Sequence, residues 1–274
     1  MMASVTATAD WLEVGPGVLR LVGDPVNVNC VLVLGGECAL LVDTGSTAGE
    51  GDHLLAITRA QAGDRQLLVA NTHSHYDHCF GNAAFSGAEI WASAGCIADL
   101  VATGEDQRRQ MASGWRGRRP EFAAALEATP IVPAGHAVER SQVLDLGGAT
   151  AELIVVGPGH SDHDLVVWLP DLSTLVAGDL VEEGGPPALE DSFPLSWPDA
   201  LQGLLGLGPQ VVVPGHGRPV SAAFVARQAR SLQALADWCR LRLGQELDPV
   251  PAPPPGWSPQ AAQTALRRAR DELE

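Results

Sequence analysis

LLVANTHSHYDH, residues 67–78, runs a short apolar strand directly into four side chains able to bind a metal. His73 and His75 stand two apart in an extended segment, so both imidazoles point to the same side. Asp77 and His78 follow where the chain turns into a helix, and all four groups splay into one space. Imidazole and carboxylate suit zinc, iron or manganese. The absence of cysteine among them argues against a purely structural zinc site.

Outward from this stretch, four more apolar runs stop in the same manner: ALLVDTG at Asp43, LIVVGPGH at His160, TLVAGD at Asp179 and VVVPGH at His216. A buried strand that stops at His or Asp beside Gly or Pro places that side chain at a sheet edge, and five such edges can converge on one cleft. Five of the eight histidines belong to this set, concentrating imidazole where one site needs it. The pattern reads as a two-metal active site.

The rest of the chain frames these edges. GVLRLV, NVNCVLVL and CALLVD, within residues 17–43, read as consecutive strands with a hairpin turn at Gly35-Gly36. A helix is expected over about 49–62, with Leu54, Leu55 and Ile57 inward, followed by strands at 66–71 and 88–92. Residues 97–128 are polar, helix-friendly and arginine-rich, and read as a helical insertion. Strands return with QVLDL, AELIVV, DLVVWL and STLVAG, then a helix over 196–207 opened by SWPDA, the strand QVVVP, and a helix over about 221–243. The plan is a main domain at 1–245, a Pro-rich linker at 246–259 and a last helix at 260–274 capped by Ser258-Pro259. That helix either mediates dimerisation or packs back. Periodicity alone gives α/β or α+β; two mixed sheets facing each other, with helices outside, suit the pattern.

Composition narrows the partners. A formal charge of −16 repels polyanions, so no nucleic acid is expected. No apolar stretch approaches a membrane span, and MMASVTATADWLEV lacks the features of a signal peptide. Five scattered cysteines give no disulfide framework, so the expected setting is reduced cytoplasm, with a small-molecule substrate and no membrane. All seventeen basic residues are arginine, which excludes lysine nucleophiles and Schiff bases.

H-x-H-x-D-H, followed by Gly-His, Gly-Asp and Pro-Gly-His at strand ends, resembles the metallo-β-lactamase-fold superfamily over roughly residues 15–220. The resemblance implies an α+β fold (α/β in some schemes), a four-layer αββα sandwich with a dinuclear site at one edge of the paired sheets. It further implies one ion on His73, His75 and His160, a second on Asp77, His78 and His216, and Asp179 bridging both. Asp43 matches a recurrent acid behind the ligands, and His163 is expected there too rather than as a ligand. Two divalent ions are implied, zinc above all, with iron or manganese as alternatives. They would activate a water for attack on an ester, thioester or lactone-type bond, with Asp77 and Asp179 as catalytic groups.

A bridging Asp179 resembles the glyoxalase II, lactonase and phosphodiesterase branches more than the true β-lactamases, leaving β-lactam hydrolysis a minor alternative. A persulfide dioxygenase-like sulfur oxygenase is a second class, with one iron on His73, His160 and Asp179. Glutathione recognition fits poorly with a chain that has no lysine and a single tyrosine, Tyr76.

Other signals have two readings each. Arg108, Arg109, Arg116, Arg118 and Arg119 either receive an anionic substrate tail or form local salt bridges on a solvated face, the favoured reading. Phe193 and Trp197, in the Gly/Pro-rich segment 182–197, are either pocket walls or core. Cys79 is expected behind the site or in the core, and Asn29 and Asn82 in turns near it.

Overall fold

Residues 11–244 and 252–274 are described by the structure, a computed structural model. Residues 1–10 and 245–251, the latter including the first part of the Pro-rich stretch, lie outside the described residues.

Strands β1 (Leu12–Gly15), β2 (Val18–Gly23), β3 (Val28–Leu34) and β4 (Cys38–Val42) pair antiparallel in succession. Helix α1 (Ala48–Ala62) crosses over to β5 (Gln66–Ala70), parallel to β4, as a parallel neighbour requires. The short α2 (Tyr76–Cys79) leads through a 3₁₀ segment to β6 (Glu89–Ser93), and α3 (Ala94–Trp115) and α4 (Pro120–Ala128) lead to β7 (His136–Val138), each strand parallel to the one before. The second half comprises the meander β8 (Ser141–Asp145), β9 (Thr150–Val155), β10 (Leu165–Leu169) and β11 (Thr174–Glu182). Helix α5 (Trp197–Gly206) then crosses to β12 (Val211–His216), parallel to β11, and α6 (Ala222–Gly244) and α7 (Pro259–Asp271) follow. The strand order is β7-β6-β5-β4-β3-β12-β11-β10-β9-β8. A single residue pair, Val28 with His216, joins the two halves at β3 and β12.

Alternation along the strands builds the layers. Val31, Val33, Leu40, Val42, Leu68 and Ala70 of the first half meet Leu153, Leu165, Val167, Leu169, Val176 and Val213 of the second in one buried cluster. Their chain neighbours face outward: Cys30, Leu32, Ala39, Leu41, Leu67 and Val69 pack with Leu54 and Ala62 of α1. Val166, Trp168, Leu175 and Val212 pack under α5, α6 and α7. The result is the expected four-layer sandwich. Each fully buried Val or Leu contributes roughly 1.5–3 kcal/mol, so the inter-sheet cluster holds the halves together.

Some elements depart from the sequence reading. The helical excursion starts at Ala94, because Ser93 accepts from the Cys96 amide at 3.0 Å and caps it. It breaks into two helices at 116–119, where Pro120 restarts the chain as α4. Strands β1 and β7 were not expected; β7 has three residues, too few for an alternation to show. Helix α7 packs back, burying Ala262, Ala265, Leu266 and Ala269 in the cluster that α6 shares. Among the described residues no helix is long and apolar enough to cross a membrane.

Candidate metal centre

The strand ends deliver the expected residues to one cleft. Past the end of β5, His73 Nε2 and His75 Nδ1 lie 2.9 Å apart, and His160 Nε2, from the loop between β9 and β10, lies 3.0 Å from the same His75 nitrogen. With Asp179 on β11 they form one group whose donor atoms all lie within 4.8 Å of one another. Asp77 and His78 on α2 form a second such group with His216 at the end of β12. Asp179 faces both. Its Oδ2 is 3.9 Å from His73 Nε2, 3.6 Å from His160 Nε2 and 3.5 Å from His216 Nε2, while Oδ1 is 3.2 Å from His78 Nε2.

Groups behind the donors fix which nitrogen of four of the five rings faces the centre. Asp43 ends β4 in the left-handed region (φ 63°), a conformation Asp tolerates better than most residues. There its Oδ2 meets His78 Nδ1 at 2.7 Å and accepts from the Thr72 hydroxyl at 2.9 Å, while Oδ1 accepts from the Thr72 amide at 2.8 Å. Thr72 Oγ1 in turn lies 3.0 Å from His73 Nδ1. His216 Nδ1 donates to the Val26 carbonyl at 3.1 Å, and His75 Nε2 meets Asp191 Oδ2 at 2.6 Å. Four rings are thus held from outside, each with its other nitrogen turned inward. His163 is not among the donors. Its Nε2 lies 3.0 Å from Ser74 Oγ and its Nδ1 2.5 Å from Asp162, behind the turn that carries His73 and His75.

Charge divides the centre. Burial, aided by the neighbouring His78, holds His73 well below the usual histidine range, and burial takes His160 down to about 4. Against the same burial, Asp179, Asp43 and Asp77 hold His78 well above it. Asp179 and Asp77 likewise outweigh burial at His216 and take it up to about 10. The carboxylates therefore demand positive charge between themselves and these rings. His78 Nε2 and Asp179 Oδ1 are buried, 3.2 Å apart, and neither has a hydrogen-bond partner. Two such orphans facing each other among imidazoles and carboxylates fit a divalent cation.

The centre opens into a cleft of about 650 Å³ lined by Tyr76, Gln107, Gln110, Met111, Glu182, Ala188, Glu190 and Asp191 besides the donors. Glu182 and Asp191 escaped the sequence reading. Burial, with the Asp179 charge, pushes the Glu182 carboxyl up to about 8. Both sit in or beside the Gly/Pro-rich loop, where no periodicity marks a side chain's direction.

The five insertion arginines do not line this cleft. Arg108 binds the Glu127 and Thr129 carbonyls and Glu105, Arg109 pairs with Asp106, Arg116 with Glu127 and Arg119 with Asp24. Arg118 lies over the Trp115 ring. These pairings follow the favoured reading of local salt bridges on a solvated face, and α3 turns Gln107, Gln110 and Met111 to the cleft. Trp197 is fully buried, donating to the Leu180 carbonyl at 3.1 Å, and Phe193 lines a neighbouring hollow. Cys79 is buried with its thiol on the Ser74 and His75 carbonyls. Asn29 ties β3 to the Pro214 and Gly217 carbonyls, and Asn82 bonds Asn71 and Thr44.

Two facing sheets with a His/Asp cluster at their shared edge define a class, the metal-dependent hydrolases of αββα architecture. The family model described as metallo-beta-lactamase superfamily matches residues 23–216, and the chain belongs to that superfamily. Among curated relatives, the atrochrysone carboxyl ACP thioesterase AacuM of Aspergillus aculeatus is 24% identical over 85% of this chain and 68% of its own length. The probable metallo-hydrolase YqgX of Bacillus subtilis is 24% identical over 61% of this chain and 72% of its own. Among solved structures, a metallo-beta-lactamase from Pontibacter korlensis superposes with a TM-score of 0.66 at 20% identity, covering 82% of this chain and 98% of that one. The last likeness concerns the fold alone.

Proposed function

We propose that this enzyme uses two divalent ions, zinc for preference, to hydrolyse a thioester or related ester of a small, largely apolar acyl group. The observation that carries the reading is the position of Asp179, whose two oxygens face donors of both groups. The second group, Asp77, His78 and His216, offers donors for a second ion beside the first. The thioesterase names of fungal relatives support the acyl class.

Bound ions would supply a water acidic enough to attack at neutral pH and an electrophile for the acyl oxygen. The chain's residues do the rest. Asp77, on the cleft wall, takes the proton released by the attacking water. Asp43 and Asp191 keep His78 and His75 in the ring tautomers that present a donor nitrogen. Gln107, Gln110, Met111 and Ala188 offer an uncharged wall to the acyl chain, while Glu190 and Asp191 disfavour an anionic one.

Elemental analysis of protein purified without added metal or chelator, followed by a thioester, ester and lactone screen, tests the proposal. Two zinc or manganese ions per chain with thioester turnover is the expected result. One iron per chain with oxygen uptake on a persulfide would replace it with sulfur oxygenation.

A further inference from the structure

Helix α7 closes over the stretch that carries Asp191. Arg268 donates from Nη2 to the Asp191 carbonyl at 2.9 Å and from Nε to the Ser192 carbonyl at 3.1 Å. Its guanidinium also lies 5.5 Å from the centre of the Phe193 ring. One turn on, Glu272 accepts from the Leu195 amide at 2.8 Å and from the Ser196 hydroxyl. Residues 183–193 belong to no strand or helix, so these grips stand in for a ladder. A planar guanidinium presents its donors to two successive carbonyls in a rigid fork, whereas an ammonium is a point charge with rotatable donors.

Asp191 needs such support. Its side chain is 57% exposed, yet it makes a 2.6 Å contact with His75 Nε2. An exposed carboxylate on an irregular loop has many rotamers and backbone states to lose before it can hold one ring. Clamping its own carbonyl and that of the next residue removes most of that freedom in advance. The hydrogen bond it then makes leaves His75 Nδ1 facing His73 and His160.

We propose that Arg268 is a positioning residue of the metal centre: by clamping the Asp191–Ser192 backbone to α7 it holds Asp191 against His75 and so sets metal affinity. The inference rests on the metal-centre reading above. The C-terminal helix, separated from the sandwich by the Pro-rich stretch, thereby becomes part of the site although it contributes no donor.

The experiment measures zinc dissociation constants by competition with a chromophoric chelator, in wild type, Arg268→Ala, Arg268→Lys, Asp191→Ala and the double variant. Arg267→Ala, exposed on the same helix, is the control. Loss of a group that orients a metal ligand typically weakens affinity 10–100-fold. Arg268→Ala and Asp191→Ala should each weaken zinc by about tenfold, the double variant no more than Asp191→Ala alone, Arg268→Lys by less, and Arg267→Ala not at all. Wild-type affinity in Arg268→Ala beside a loss in Asp191→Ala, or two losses that multiply, overturns the proposal. If Arg268→Ala does not fold, Arg268→Lys and Glu272→Gln decide, and unchanged affinity in both overturns it. Failure of the wild type to bind zinc, manganese or iron overturns the metal-centre reading instead.

Discussion

A Cβ at Gly215 would stand 1.7 Å from Asp179 Oδ1, a separation no side chain can adopt. The glycine of Pro-Gly-His is there because β12 runs parallel to β11 at the point where Asp179 turns toward the donors. Gly215→Ala should therefore push Asp179 out of place and take metal content and turnover down together, by tenfold or more, while the sheets stay paired. Elemental analysis beside circular dichroism checks this. Full metal content with wild-type turnover would show that Asp179 can move without consequence, and its bridging role would fall. The strand-end pattern brought Asp43 and the seven other His and Asp residues to one cleft, because a His or Asp closing an apolar run lies at a sheet edge, and the family resemblance set Asp43 behind the rest. Asp191 had no such mark. Its role depends on where an irregular loop comes to rest, which is a tertiary fact.

Helix α1 carries a pH dependence of its own. Glu50 in its first turn accepts from the Ser46 amide at 2.8 Å, and burial pushes its carboxyl from 4.5 up to about 7. An acid whose folded pKa is raised stabilises the fold fully below its unfolded pKa, and that stability is lost as pH rises through the folded value. The window is thus about 4.5 to 7. Glu50→Gln, which keeps the acceptor, should remove that slope, so that the variant gains on the wild type by roughly 1–3 kcal/mol between pH 4.5 and 7.5. Denaturant titrations of both proteins across that range check it; parallel stability curves would refute it. Among the elements, α1, α5 and α6 stood at their expected places because turn residues or Pro fix their starts. The break at 116–119 did not show, since the sequence favours helix on both sides and only Gly117 and Pro120 mark the division. Arg268 carries no mark in the sequence, standing in the run RRAR at 267–270.

At the scale of the molecule, the first half of the chain supplies His73, His75, Asp77 and His78, and the second supplies His160, Asp179 and His216. An ion bound by the folded state alone stabilises it by about 2.7 kcal/mol at a hundredfold excess over Kd. For a domain of this size that is roughly 5–10 °C in Tm. Chelation should lower the melting temperature by that amount and zinc should restore it, as calorimetry can record. An unchanged Tm would mean that no ion ties the halves together.

The lone pair of residues that links β3 to β12 gives this arrangement a mechanical meaning. Every other strand boundary along the path is a ladder of several residues, able to share a load. At this boundary the strand ladder shrinks to one pair, and His216, one of the seven His and Asp residues of the cleft, is a member of it. The candidate metal centre thus sits on the weakest backbone joint of the path, and an ion held there would add a cross-link to what the apolar cluster and Asn29 already provide.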